Sequence, residues 1–296
     1  MTGQAAWLQA GHNQLPIVNV AAVPQRSPFR YPGGKTWLVP YVRQWLNHLM
    51  RPVKQLIEPF AGGAIVGLTA AFEGLAESVL LVEKDPEVAA VWRTILGGQA
   101  RWLSERIMGF EVTSASVRQV LDCPARSLRE QAFQTLLRNR VQRGGILARG
   151  AGLMKSGEKG RGLNSRWYPA TLSKRVMAIA HLRNRISFVE ADGVQVIRQY
   201  SSRPDAVFFI DPPYTIAGRR LYTYSDIDHK RLFSVVAEVA GDFLMTYDDA
   251  GEIRELARNH GFQMELIPMK STHHAKKMEL LIGRDLAWLP VAKRHV

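Results

Sequence analysis

The sequence predicts an α/β protein, a doubly wound sheet interrupted by a mostly helical basic insert. Three observations predict it. Short apolar runs of strand length, at 55–58, 78–82, 186–192 and 206–210, end at an acid or a glycine turn and are followed by helical periodicity. That alternation stops after two strands: residues 87–137 carry only helical spacing, and the strand pattern resumes at Ile186. Between Arg126 and Arg185 stand fourteen Lys or Arg against two acids, Glu130 and Glu158, a local excess of +12 in a chain whose net charge is +13. The expected division is an N-terminal arm over 1–26, a sheet domain from 27–95 and 186–296, and an inserted domain over 96–185.

Composition narrows the class. Hydrophobic residues make up 46% of the 296 positions, enough for a substantial core, so global disorder is excluded. There is no apolar run of membrane-spanning length and no basic patch followed by an apolar core at the start, so neither a membrane span nor a secretory signal is expected. Cys123 is the sole cysteine, which rules out a disulfide within the chain and a cysteine-rich zinc site, and fits a reducing, cytoplasmic compartment. A local field of +12 attracts a polyanion, and nucleic acid is the expected partner.

From the N-terminus, the first informative stretch is Phe29-Arg30-Tyr31-Pro32-Gly33-Gly34-Lys35-Thr36. Its Gly-Lys-Thr ending is not a P-loop, because Phe29 stands where the first glycine of that motif belongs. What remains is a Gly33-Gly34 turn that allows close backbone approach, flanked by an aromatic and a lysine; a plain loop before the helix expected over 36–49 accounts for it equally well. Next, Glu58-Pro59-Phe60-Ala61-Gly62-Gly63 closes the first strand. This is the nucleotide-site position of a doubly wound sheet, but Gly62-Gly63-Ala64 breaks the Gly-x-Gly fingerprint, which disfavours a pyrophosphate and leaves room for an adenosine without phosphates. Glu83, with Lys84 beside it, ends the second strand about twenty residues past the glycines, where an acid can accept from ribose hydroxyls.

The insert carries two basic stretches. One holds Arg138, Asn139, Arg140 and Arg143, with Arg149 beyond; the other, from Lys155 through Lys159, Arg161 and Arg166, ends at Trp167-Tyr168. Cations interleaved with aromatics suit contact with a nucleic-acid backbone together with stacking or wedging at bases. After the insert, Asp192 ends a strand, either to accept an adenosine amine or to cap the helix that follows. The run Ala206–Ile210 then ends in Asp211-Pro212-Pro213-Tyr214. Two prolines stop the strand. A turn of that kind needs no function, but at the carboxyl end of a strand it also suits a planar exocyclic amine: Asp211 and the Pro212 carbonyl accept its two hydrogens while Tyr214 stacks on the ring. A polar tip between the last two strands, over 271–277, holds His273-His274 and the cations Lys276 and Lys277; with no third ligand placed, no metal is expected.

Taken together, Phe29 to Lys35, Glu58 to Gly63, Asp211 to Tyr214 and Lys276-Lys277-Met278-Glu279-Leu280-Leu281, in that order around a basic insert, resemble the Dam-type, α-group adenine-N6 DNA methyltransferases over roughly 27–284. The resemblance implies a Rossmann-like S-adenosylmethionine-dependent sheet, S-adenosylmethionine as cofactor, double-stranded DNA as partner, and action as a monomer. It implies a cofactor site from Tyr31, Pro32, Gly33, Gly34, Lys35, Glu58, Phe60, Gly62, Gly63, Glu83, Lys84, Asp192 and Asp211. A target-adenine site would comprise Asp211, Pro212, Pro213 and Tyr214, with the Asn139-Arg140 pair opening the recognition region. Tyr31 replaces a usual tryptophan and Glu83 a frequent aspartate. Cytosine-N4 methylation is the nearer rival, although it usually has serine where this chain has Asp211. A DNA-binding regulator with a degenerate site is the rival from another class.

Overall fold

The computed structural model describes residues 18–30, 34–147, 151–157, 160–213, 226–270 and 276–290. Seven strands form one sheet in the order β3-β2-β1-β4-β5-β7-β6. They are β1 (Gln55–Glu58), β2 (Ser78–Glu83), β3 (Ile186–Glu190), β4 (Ala206–Ile210), β5 (Phe243–Asp248), β6 (Gln263–Lys270) and β7 (Lys276–Gly283). The first five are mutually parallel; β7 runs antiparallel to β5 and closes a hairpin with β6. The sheet winds outward in both directions from the neighbours β1 and β4 and carries a reversed hairpin at one edge, a doubly wound α/β arrangement.

Alternation along the strands divides the core into two layers. Leu56, Val79, Leu81, Val207, Phe209 and Leu244 face one layer, while Ile57, Leu80, Val82, Phe208, Ile210 and Met245 face the other. The second layer is closed by α8 (Gly193–Tyr200), α9 (His229–Ala237) and α10 (Gly251–Asn259), through Ile197, Phe233, Val236 and Ile253. The first is closed by α1 (Val39–His48), α2 (Ile65–Glu73) and α3 (Pro86–Thr94).

The helices of the expected insert are α4 (Ala100–Met108), α5 (Ser114–Leu121), α6 (Leu128–Val141) and α7 (Pro169–His181). Chain direction breaks between α3 and α4 at Gly98, where φ is +88°, close to the boundary read from the sequence. These helices nevertheless share the first core layer: Leu103, Phe133, Leu136, Val176 and Ile179 join the same buried cluster as Leu56 and Leu68. Residues 96–185 thus extend the helical layer of the sheet rather than enclosing a core of their own. The N-terminal arm also needs correction over 18–26: Val23 is buried, and Arg26 pairs with Glu73 at 3.0 Å and lies over the Phe72 ring at 4.5 Å.

Helix α2 sits so close to the sheet that Gly67 has no room for a side chain. A Cβ there would lie 2.6 Å from Glu58 Oε2, 2.8 Å from Leu81 Cδ2 and 3.0 Å from Val79 Cγ1. Mid-helix Gly→Ala ordinarily gains about 1 kcal/mol in helix propensity. Here overpacking of roughly 1–3 kcal/mol outweighs it. Gly67→Ala is expected to lower the urea midpoint at unchanged m value; a raised midpoint would show that α2 moves off the sheet freely.

Candidate functional site

Because β1 to β4 are parallel, their carboxyl ends lie along one edge of the sheet. Chain winding reverses between neighbours β1 and β4, the place where open α/β sheets leave a crevice. A cleft of about 620 Å³ opens there. Its walls take Glu58 and Phe60 from the end of β1, Glu83 and Lys84 from β2, Asp192 after β3, and Asp211 and Pro213 after β4.

The glycine turn after β1 is held from three sides. Gly62 adopts φ +45° and Ala64 φ +50°. The left-handed region costs a residue with a Cβ roughly 1–2 kcal/mol, so packing holds Ala64 in place. The buried Trp92 donates its indole N–H to the Gly62 carbonyl at 3.0 Å and tilts against Phe29 at 6.0 Å between centroids. The Gly62 N–H donates to Glu83 Oε2 at 2.9 Å, while Glu83 Oε1 accepts from the Lys84 and Asp85 N–H groups at 2.8 and 3.0 Å. Burial raises the Glu83 carboxyl above its usual range, and these donors oppose the rise. Glu83 is therefore immobile, with three of its roughly four acceptor positions used. Of the two readings of Asp192, the structure shows the cap: Oδ1 accepts from the N–H groups of Val194 and Gln195 at the start of α8, and Oδ2 takes the Lys84 ammonium at 3.2 Å.

At the other end of the cleft, one lysine serves a buried carboxylate group. Lys35, 4% exposed, places Nζ 2.9 Å from Asp211 Oδ1 and 3.0 Å from Glu279 Oε1. The Thr246 hydroxyl donates to Asp211 Oδ1 at 2.8 Å. Glu58, 3% exposed, accepts from the Gly67 N–H at 2.7 Å and is close enough to Asp211 for repulsion to count. Burial, with that repulsion added, pushes Glu58 well above the carboxylate range. Glu279 is pushed up to about 7 by burial, against the pull of Lys35. The arrangement fixes the Asp211 carboxylate at the end of β4 with one oxygen tied back to the protein. Lys35, expected against a cofactor, lines the cleft, and its ammonium is engaged by Asp211 and Glu279.

Glu279 and Thr246 were missed as site residues. Glu279 left a signal, a lone acid in the apolar run of β7, but only strand pairing brings it beside Lys35. Thr246 left none.

The expected DNA contacts divide differently. Arg143, Lys155 and Arg161 are exposed, and Arg166 is half-buried. Arg138 is paired with Glu87 in the first turn of α3, at 2.6 and 2.7 Å. Asn139 and Arg140 require correction. Helix α6 is packed on nearly every side, so both are buried. Asn139 accepts from the Arg30 N–H at 2.8 Å and donates to the carbonyls of Arg30 and Gly145 at 3.0 and 2.7 Å; Arg140 donates to the Pro28 carbonyl at 2.5 Å. Their visible work is to hold residues 28–30 along the cleft. Tyr31, Pro32, Gly33, Arg149, Lys159 and Tyr214, the side chains of Lys276 and Lys277, and the pair His273-His274 lie outside the described residues. Among the described residues no group of acids, histidines and cysteines is arranged for a metal, and no helix is long and apolar enough to cross a membrane.

Fold and site together define a Rossmann-like sheet with a cleft of about 620 Å³ at its switch point. No family model matches the chain, and no curated protein does. Solved structures similar to it include a SAM-dependent methyltransferase from Agrobacterium tumefaciens, at 11% identity and TM-score 0.41, with 84% of this chain and 61% of that one covered. A precorrin-6y C5,15-methyltransferase from Geobacter metallireducens matches at 12% identity and TM-score 0.37, covering 83% and 86%. A spermidine synthase from Thermotoga maritima matches at 11% and 0.37, covering 84% and 58%. The chain thus spans less than two thirds of the first of these. Likenesses at this level leave the chemistry to be argued from the site.

Glu279 gives a test with a definite sign. Its folded value near 7 lies above the ordinary 4.5, so between those values the folded state binds more protons than the unfolded, and stability falls as pH rises through that window. The full penalty, about 3 kcal/mol, is present above pH 7. Glu279→Gln is expected to flatten the fall in urea-measured stability between pH 4.5 and 7; identical slopes would remove Glu279 as its source.

Proposed function

We propose that the protein transfers a methyl group from S-adenosylmethionine to the N6 amine of an adenine in DNA. The observation that carries this reading is Asp211, fixed by Lys35 and Thr246 at the end of β4 in the same cleft as the Gly62–Gly63 turn.

The cleft residues fit the cofactor. The turn lacks the glycine spacing a pyrophosphate needs, Glu83 is clamped with acceptor capacity remaining for a ribose hydroxyl, and Phe60 offers an aromatic wall. When bound, S-adenosylmethionine supplies an electrophilic methyl on a sulfonium. The protein's task at the other end is to orient a weakly nucleophilic amine whose lone pair is delocalised into the purine ring. Hydrogen bonds from N6 to the Asp211 carboxylate and the Pro212 carbonyl favour a pyramidal nitrogen and fix its direction, so positioning contributes more than acid–base chemistry. The Lys35 ammonium and the Thr246 hydroxyl hold Asp211 Oδ1 in place.

DNA as the polymer is supported by the +12 segment and by the exposed cations Arg143, Lys155 and Arg161. An adenine inside a duplex must leave the stack to reach such a cleft, at a cost of a few kcal/mol recovered in the pocket. Affinity then belongs to the basic layer and turnover to the β4 end.

Asp211→Ala is therefore expected to lower methyl transfer by roughly a thousandfold or more, with DNA affinity in a gel-shift assay unchanged. The measurement is labelled-methyl transfer to unmethylated duplex followed by nucleoside analysis. N6-methyladenine from the intact protein alone supports the assignment. N4-methylcytosine would move the target to the other base, and tight binding without methylation of any DNA would replace the enzyme with a regulator.

A further inference from the structure

The cleft has a wall that the proposed chemistry does not use. Arg140, 6% exposed, and Arg175, half-buried on α7, both line it. Arg140 spends Nη2 on the Pro28 carbonyl, and its buried Nε has no hydrogen-bond partner. Arg175 spends Nη1 on the Ser27 carbonyl at 3.1 Å. Neither has an ion pair among the described residues. Arg140 is instead repelled by Arg175 and Arg30; burial first, then that repulsion, lowers Arg140 to about 9. Buried arginine ordinarily comes with a carboxylate, because an uncompensated charge away from water is strongly destabilising.

A second feature converges on the same wall. Helix α7 has 13 residues, begins at Pro169, and has no side-chain cap at Tyr168. Thr171 and Leu172 of its first turn line the cleft, and Arg175 follows one turn later on the same face. Pro169 has no N–H and that of Leu172 is bonded to the Tyr168 carbonyl, so the N–H groups of Ala170 and Thr171 in this uncapped turn, with the positive end of the helix dipole, are the ones that attract an anion. The planar guanidinium fork matches an oxyanion with two acceptor oxygens.

We infer that Arg140, Arg175 and the first turn of α7 form an oxyanion-binding subsite in the cleft wall, whose occupant supplies a countercharge that none of the described residues provides. Two carriers present that chemistry: the amino-acid carboxylate of the cofactor, or a phosphodiester of the nucleic-acid strand entering the cleft. The choice of carriers rests on the function proposed above; the subsite itself rests on the arginines and the helix end.

Three probes separate the cases: S-adenosylhomocysteine, 5′-methylthioadenosine, which keeps purine and sulfur but lacks the carboxylate, and a 20-base-pair duplex. Each is titrated calorimetrically into the wild-type protein, Arg175→Gln and Arg175→Lys. The half-exposed Arg175 is varied because Arg140 also holds the Pro28 segment. A loss of tenfold or more for S-adenosylhomocysteine in Arg175→Gln, with methylthioadenosine unchanged and partial recovery in Arg175→Lys, identifies the carboxylate. The same loss for the duplex, with its salt slope reduced by about one, identifies the phosphodiester. If Arg175→Gln melts like the wild type and binds all three probes as the wild type does, the subsite is refuted. Failure of the wild type to bind either nucleoside refutes the cofactor reading instead, and the duplex arm still decides the subsite.

Discussion

A single buried ammonium organises the working edge of this sheet. Lys35 lies between Asp211 and Glu279, with Glu58 close behind, and three acids brought this near one another away from water would not remain charged together. Asp211, the least buried of the three, is held by both Lys35 and Thr246; Glu58, sealed against α2, is driven toward the neutral acid by burial. The geometry at the end of β4 thus depends on a residue from before the first strand and another from the last.

The helical layer over 96–185 is joined to that edge rather than hung from it. Its apolar side chains complete the first core layer, and its polar ones hold the cleft wall: Asn139 bridges Arg30 and Gly145, Arg138 pairs with Glu87, and Trp92 supports the glycine turn from the neighbouring α3. Movement of this basic layer against the sheet would have to break a shared core, so its exposed cations and the acids at the strand ends stay in fixed relation, in contrast to a lobe on a linker.

Much of this was legible in the sequence because strand ends are local events. Apolar runs closed by Glu58, Glu83, Asp192 and Asp211 announce themselves, and all four acids end on one edge. The basic segment was legible as charge, but the fate of each cation was not, since burial is decided by neighbours far along the chain. Asn139-Arg140 looked like surface and is buried, because α6 is packed on nearly every side. Lys35 was legible as a cleft residue, but its acidic partners were not, because they arrive from β4 and β7. The oxygen of Thr246 is indistinguishable in sequence from any strand threonine.

The reversed β7 has a consequence for the order of events in synthesis. Lys35 is joined to a partner 244 positions later, and β7 reaches its place only after β6 has been made and turned back. Until β7 is in place, β5 is an open edge and Lys35 lacks the second of its carboxylate partners. Contacts this distant in sequence close slowly. The carboxylate group around Lys35 is therefore complete only when the hairpin is, so that the last strand made also finishes the edge begun before the first.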